Sequence, residues 1–344
     1  MLEGLSARLA PVRQTPSLAP PAGNLRQLTI VLVLAVLGET TLLRVVTRIG
    51  VHLPKDAAVS GLFEAASFFG SLAFNFASLL AIALAVLMLS SLTQRMDNWV
   101  SRVIVGFLSL AMLSGLALTL TTGAPVADAL FGVAAVTLVG VIGLVLARES
   151  GLSAAARGAL ALMVLAYFCY QYYALSHLFY RILDYSSLPP LSIEILQLGE
   201  VLVVAAAVAA FWAWGLPHRR SLGSGGIVLV AGILGALALA ALSPVSTTAI
   251  LALWTTGLSL FLPFPIYLLA LALYLLTLVG CWRSGAASAT AAGLLLVLLA
   301  GYMAEATYQH LLLILAVVLL SGAVPWTEPA GTAAFAGTSA RPIR

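Results

Sequence analysis

Residues 129–147 read ALFGVAAVTLVGVIGLVLA, nineteen consecutive positions with no charge, no amide and no proline. Wound as an α-helix, such a stretch is about 28 Å long, close to the ~30 Å hydrocarbon layer of a bilayer. Nine similar stretches flank it. On the amino-terminal side lie Leu28–Val46, Leu72–Leu92 and Val103–Leu120; on the carboxy-terminal side lie Ala159–Leu178, Leu191–Trp214, Gly226–Leu242, Ile266–Cys281, Ala289–Met303 and Tyr308–Val324. The fold class expected is therefore all-α: a polytopic bundle of about ten transmembrane helices.

Composition agrees. Hydrophobic residues make up 62% of the 344 and charged residues only 8%, and the mean hydropathy of +1.10 is far above that of a water-soluble domain. The connections are too short for a second core, so a single membrane domain is expected over 28–324, with Pro-rich and polar tails at 1–27 and 325–344 expected to be disordered and cytoplasmic. No apolar signal-peptide segment stands near Met1.

Two shorter stretches need separate readings. In Val59–Phe69 the apolar residues Val59, Leu62, Phe63, Ala66 and Phe69 share one helical face, which suits a helix on the membrane surface or an extension of the following span. Pro263 and Pro265 interrupt the long stretch 245–282. A proline lacks the N–H a continuous helix needs, so 246–262 reads as an interfacial or re-entrant half-helix.

Charge then sets the orientation. With the amino terminus inside, the inner connections carry Arg95 and Arg102, Arg148 and Arg157, Arg219 and Arg220, and Arg283, with Arg341 and Arg344 in the tail. The outer connections near Gly123, Ser243 and Glu305 carry none, and the one after the fifth stretch has only Arg181. That is the positive-inside pattern of a cytoplasmic (inner) membrane protein with both termini cytoplasmic. Arg44, Arg48 and Lys55 sit against it in the first outer loop. The net charge of +4 is spread over these loops, so it reports orientation and no nucleic-acid partner. The expected partners are the lipid bilayer and other membrane-protein subunits.

Several chemistries are excluded. Lys55, the only lysine, lies in a loop, which disfavours an intramembrane Schiff base. Cys169 and Cys281 are far apart with no CxxC spacing. There is no P-loop, HExxH or GxSxG sequence.

Ionisable residues inside spans are costly and mark function by default. Glu39 lies in the first span, Glu194 and Glu200 in the sixth, and Glu305 at the last turn. His52, His177 and His310 all fall near the outer boundary. Three imidazoles on one side could bind a metal, and His177 with His310 could ligate a haem iron. In the fifth span Tyr170, Tyr173, His177 and Tyr180 recur at helical spacing, with Gln171 beside them. This stripe suits a cofactor pocket with Glu200 in support; it equally suits an aromatic belt at the headgroups. Gln197 and Glu200 form a polar ridge in the sixth span, and Thr40, Thr41, Arg44 and Arg48 form another near the first outer boundary. These ridges suit a transport or anion site, or else interhelical hydrogen bonds and arginines reaching the headgroups.

Leu37-Gly38-Glu39 in the first span recurs as Leu198-Gly199-Glu200 in the sixth, where a five-plus-five inverted repeat would place it. Three functions follow as expectations. The first is a membrane subunit, plausibly of an electron-transfer complex, binding haem, metal, quinone or lipid in an outer-leaflet pocket. The second is a ten-span small-molecule transporter. The third is a purely structural subunit. None of them requires catalysis by this chain alone.

Overall fold

The computed structural model describes residues 22–39, 42, 57–96, 98–149, 152–183, 191–242, 263–284, 288–302 and 306–322. Of these, 94% are helical and none lies in a strand. Helices satisfy every main-chain hydrogen bond within the segment, which is what a lipid surrounding demands. In chain order they are α1 (Ala22–Glu39), α2 (Ala57–Arg95), α3 (Trp99–Thr122), α4 (Pro125–Glu149), α5 (Ala154–Leu183), α6 (Ser192–Ala210), α7 (Arg219–Leu242), α8 (Phe264–Arg283), α9 (Ser288–Tyr302) and α10 (Ala306–Leu320). Each apolar stretch read from the sequence overlaps one of them within the described residues. Six, namely α2 to α6 and α8, are long and apolar enough to cross a membrane, and α9 and α10 contain shorter apolar helices.

Local chemistry explains the ends. Asn98 caps α3, its side chain accepting the Val100 N–H at 2.9 Å. Pro263 and Pro265 open α8, where a missing N–H costs nothing. The amphipathic stretch at 59–69 is the first part of α2, whose 39 residues make a helix of roughly 58 Å, longer than the hydrocarbon layer. The half-helix expected at 246–262 lies outside the described residues. After α6 the chain widens into a π-helical turn, Phe211–Gly215, where the Leu216 N–H donates to the Phe211 carbonyl. At Gly223 inside α7, φ is 56° and ψ 171°, a conformation essentially reserved for glycine. The Arg283 guanidinium holds this break by donating to the Leu222 carbonyl at 2.6 Å.

Sequential helices pack as neighbours, except that α6 and α7 each pack on α8, and α10 closes the bundle against α2, α4 and α9. Every residue from His310 to Ser321 is buried, so this part of α10 is central and, beyond His310, apolar on every face to Leu320. Large apolar side chains cover the outside instead. Phe107 is 70% exposed and Leu79 69%, as lipid-facing positions should be. Hydroxyls in the spans bond back to the preceding turn, as Thr29 does to the Leu25 carbonyl at 2.9 Å.

Glycines bring α4 close to its partners. A Cβ at Gly115 of α3 would meet the Phe131 backbone at 3.0 Å. Along α4, Gly132, Gly140 and Gly143 face Leu175, Phe168 and Val164 of α5. The numbering runs in opposite directions, so α4 and α5 are antiparallel. Missing side chains permit this close approach.

Candidate functional site

At 100° per residue, α5 presents three faces, and its contacts identify each. Val164, Phe168 and Leu175 meet the α4 glycines. Ala166, Cys169 and Tyr170 meet Gly199 of α6, with the Cys169 Cβ only 2.9 Å from where a Cβ at 199 would stand. Tyr167 and Gln171, one turn apart, reach toward α10.

On that third face a polar seam crosses the bundle. The Tyr167 hydroxyl is hydrogen-bonded to Nδ1 of His310. One turn along, Gln171 Nε2 donates to Gln309 Oε1 at 2.9 Å. The two helices make almost no close backbone approach, so long side chains span the gap. His310 is wholly buried, at 0% exposure. Phe131 packs on its ring at 5.4 Å between centroids, and Tyr167 lies perpendicular at 5.8 Å. On the remaining side is Gly132, where an added Cβ would stand 3.8 Å from Nε2 and 3.0 Å from Leu175.

The polar inventory around α5 is unbalanced. Three shielded atoms, the Tyr170 hydroxyl, Nε2 of His177 and Nε2 of His310, have no hydrogen-bond partner among the described residues. Each such group costs about 1–3 kcal/mol if left unmade. Nearby, the Tyr173 and His177 rings stack edge to face at 4.5 Å, and Glu200, only 2% exposed, lies within electrostatic reach of Tyr170.

The candidates from sequence therefore divide. His310, Tyr170 and Glu200 gather around α5, and Tyr173 and His177 continue the same helix outward. His177 stands ten residues beyond Tyr167 on α5, a rise of about 15 Å, while Tyr167 is the residue bonded to His310. The two imidazoles thus occupy separate levels of the bundle, which does not suit one iron held between them. Among the described residues no three His, Cys, Asp or Glu side chains are grouped to hold a metal ion. The ridge in α6 also separates, because Gln197 is exposed whereas Glu200 is buried. Glu39, at 2% exposure, is buried at the end of α1. Thr40, Thr41, Arg44, Arg48, His52 and Glu305 lie outside the described residues.

The repeated Leu-Gly-Glu triplets sit in unlike surroundings. Gly199 is pressed against Cys169, whereas Gly38 has no neighbour within 4 Å among the described residues.

Tyr167, Phe131 and Gly132 were not singled out by the sequence reading. Tyr167 precedes Gln171 by four residues and Tyr170 by three, so extending the polar stripe one turn inward would have found it. Nothing in the sequence distinguishes Gly132 from the other glycines of α4.

With six helices able to cross a bilayer, the chain fits an integral membrane protein in a lipid environment. No family model, curated protein or solved structure matches it.

Proposed function

We propose that this chain is a ten-span protein of the cytoplasmic membrane, both termini inside, that binds a small molecule between α5, α6 and α10. The reading is carried by Nε2 of His310 and the Tyr170 hydroxyl, shielded polar atoms that lack partners among the described residues, with Nε2 of His177 a third such atom farther out along α5. Native proteins rarely leave such atoms unpaired, and a bound molecule that bonds to them would offset the burial. The gap bridged by Tyr167, Gln171, His310 and Gln309 supports the same place. A role as the membrane subunit of a larger electron-transfer complex is one use of such a site.

The test is direct. The protein, purified in mild detergent, is examined by oxidised and reduced visible spectra, metal analysis, and mass spectrometry of an organic extract. One bound molecule per chain, reduced in both His310→Ala and Tyr170→Phe, is the expected result. A folded protein retaining nothing would count against the proposal.

Transport is a second reading, favoured by the burial of Glu39 and Glu200, each 2% exposed within apolar helices. Loss of a substrate flux in vesicles on Glu39→Gln or Glu200→Gln would support it, and normal flux in both would oppose it.

A further inference from the structure

We infer that the molecule received at His310 is a neutral carbonyl compound, held by an Nε2–H that Tyr167 sets in place, and not a metal ion. This rests on the ligand-binding reading above. A neutral imidazole carries one N–H and one lone pair. Among the described residues the Tyr167 hydroxyl has one partner, Nδ1 of His310. If Nδ1 carried the ring proton, it would donate to the tyrosine oxygen. The Tyr167 O–H and the Nε2 lone pair would then both be buried without partners. With the tyrosine donating to Nδ1, only one group stays unpaired, the Nε2–H. The pair therefore fixes the tautomer, as a hydrogen bond at one ring nitrogen does for the other.

His310 thus presents a donor beside the bare Gly132. Tyr170, which meets Gly199 on the α6-facing side of α5, is a separate unpaired hydroxyl. The Nε2–H donor calls for an acceptor oxygen. The sequence around it selects a neutral molecule. No arginine or lysine occurs in α6 or α10, and those of α4 and α5 stand at the helix ends, at Arg148, Arg157 and Arg181. A metal would need the lone pair that this tautomer removes from Nε2, and no three-ligand group stands among the described residues.

The test uses the full chain in lipid nanodiscs with ¹⁵N-labelled histidine. Four histidines give few signals, and His310→Asn assigns the one of interest. The probes are a short-chain benzoquinone, which carries two carbonyl oxygens, and zinc chloride. We expect a protonated Nε2, an Nδ1 that accepts a hydrogen bond, and an Nε2 signal that moves with benzoquinone and ignores zinc. Tyr167→Phe should release the tautomer and weaken benzoquinone binding about tenfold. The wild-type spectrum decides the tautomer even if that variant does not fold. A proton on Nδ1, or an Nε2 signal that answers to zinc alone, overturns the carbonyl assignment and leaves a binding site standing. A protonated Nε2 indifferent to both probes, in protein whose organic extract holds no bound molecule, removes the binding reading itself and this inference with it.

Discussion

Gly115→Ala probes the contact on which the placement of Phe131, and through it His310, depends. A Cβ at 115 would lie 3.0 Å from both the Cα and the N of Phe131 and 3.2 Å from its Cβ. Carbon atoms settle at about 3.5–4.0 Å, so α3 and α4 must part by roughly 0.5–1 Å. The obstacle is backbone, which cannot rotate aside. Overpacking of this kind costs about 1–3 kcal/mol, offset by up to ~1 kcal/mol because alanine is the better helix former. Gly106, on the same helix, has no neighbour within 4 Å among the described residues. Gly106→Ala therefore takes the helix gain without the clash, and the two variants should differ by about 1–3 kcal/mol. The protein carries its own reporters, since Cys169 and Cys281 are free and buried. A dye that fluoresces on reaction with thiols follows their exposure on heating. At ~1.4 °C per kcal/mol for a chain of this size, Gly115→Ala should melt about 1–4 °C below Gly106→Ala. Equal melting temperatures would refute the close approach of α3 to α4.

Three further outcomes are expected. Gly223→Ala forces a side chain into a positive-φ, extended-ψ backbone and should cost about 1–3 kcal/mol; Gly232→Ala in the same helix, where a Cβ meets nothing within 4 Å, should be close to neutral in the same thiol-dye melt. Tyr274→Phe removes the buried bond from its hydroxyl to the Leu294 carbonyl, 2.8 Å long, which ties α8 to α9, and should lower stability by about 1 kcal/mol; an unchanged melting temperature would show that bond to be idle. Tagged cysteines placed at position 1 and at 286 should both be labelled by an impermeant reagent only from the cytoplasmic side, and labelling of either from outside would break the ten-crossing proposal.

Helix positions were legible because apolar length is a strong signal. The runs of Leu, Val, Ala and Ile are interrupted by Pro125, Pro263 and Pro265 and by charged turns such as Arg95–Asn98, and these are where helices begin or end. The site was legible in part. Helical spacing could join Tyr170 to Tyr173 and His177, because those residues share one helix. It could not join Tyr167 to His310, which lie 143 positions apart and meet only because of how α4 packs against both helices. Nor does spacing show burial. Gln197 and Glu200 look alike as a polar ridge, yet α6 turns one outward and the other in, because Gly199 seats that helix on Cys169. The same limit applies to Gly132, whose role comes from what stands opposite it.

The burial of α10 on every side has a consequence for biogenesis. At the usual 5–20 residues per second, α10 leaves the ribosome on the order of 10–50 s after α2, one of the helices it packs against. Until then α2 and α4 have an unfilled seam where the centre of the bundle belongs. The helices made earlier must wait in the membrane with that seam covered by lipid or by an insertion factor. Assembly therefore ends with a plug rather than growing outward from a nucleus. A ribosome that stalls before residue 306 would leave α2, α4 and α9 without the helix they share.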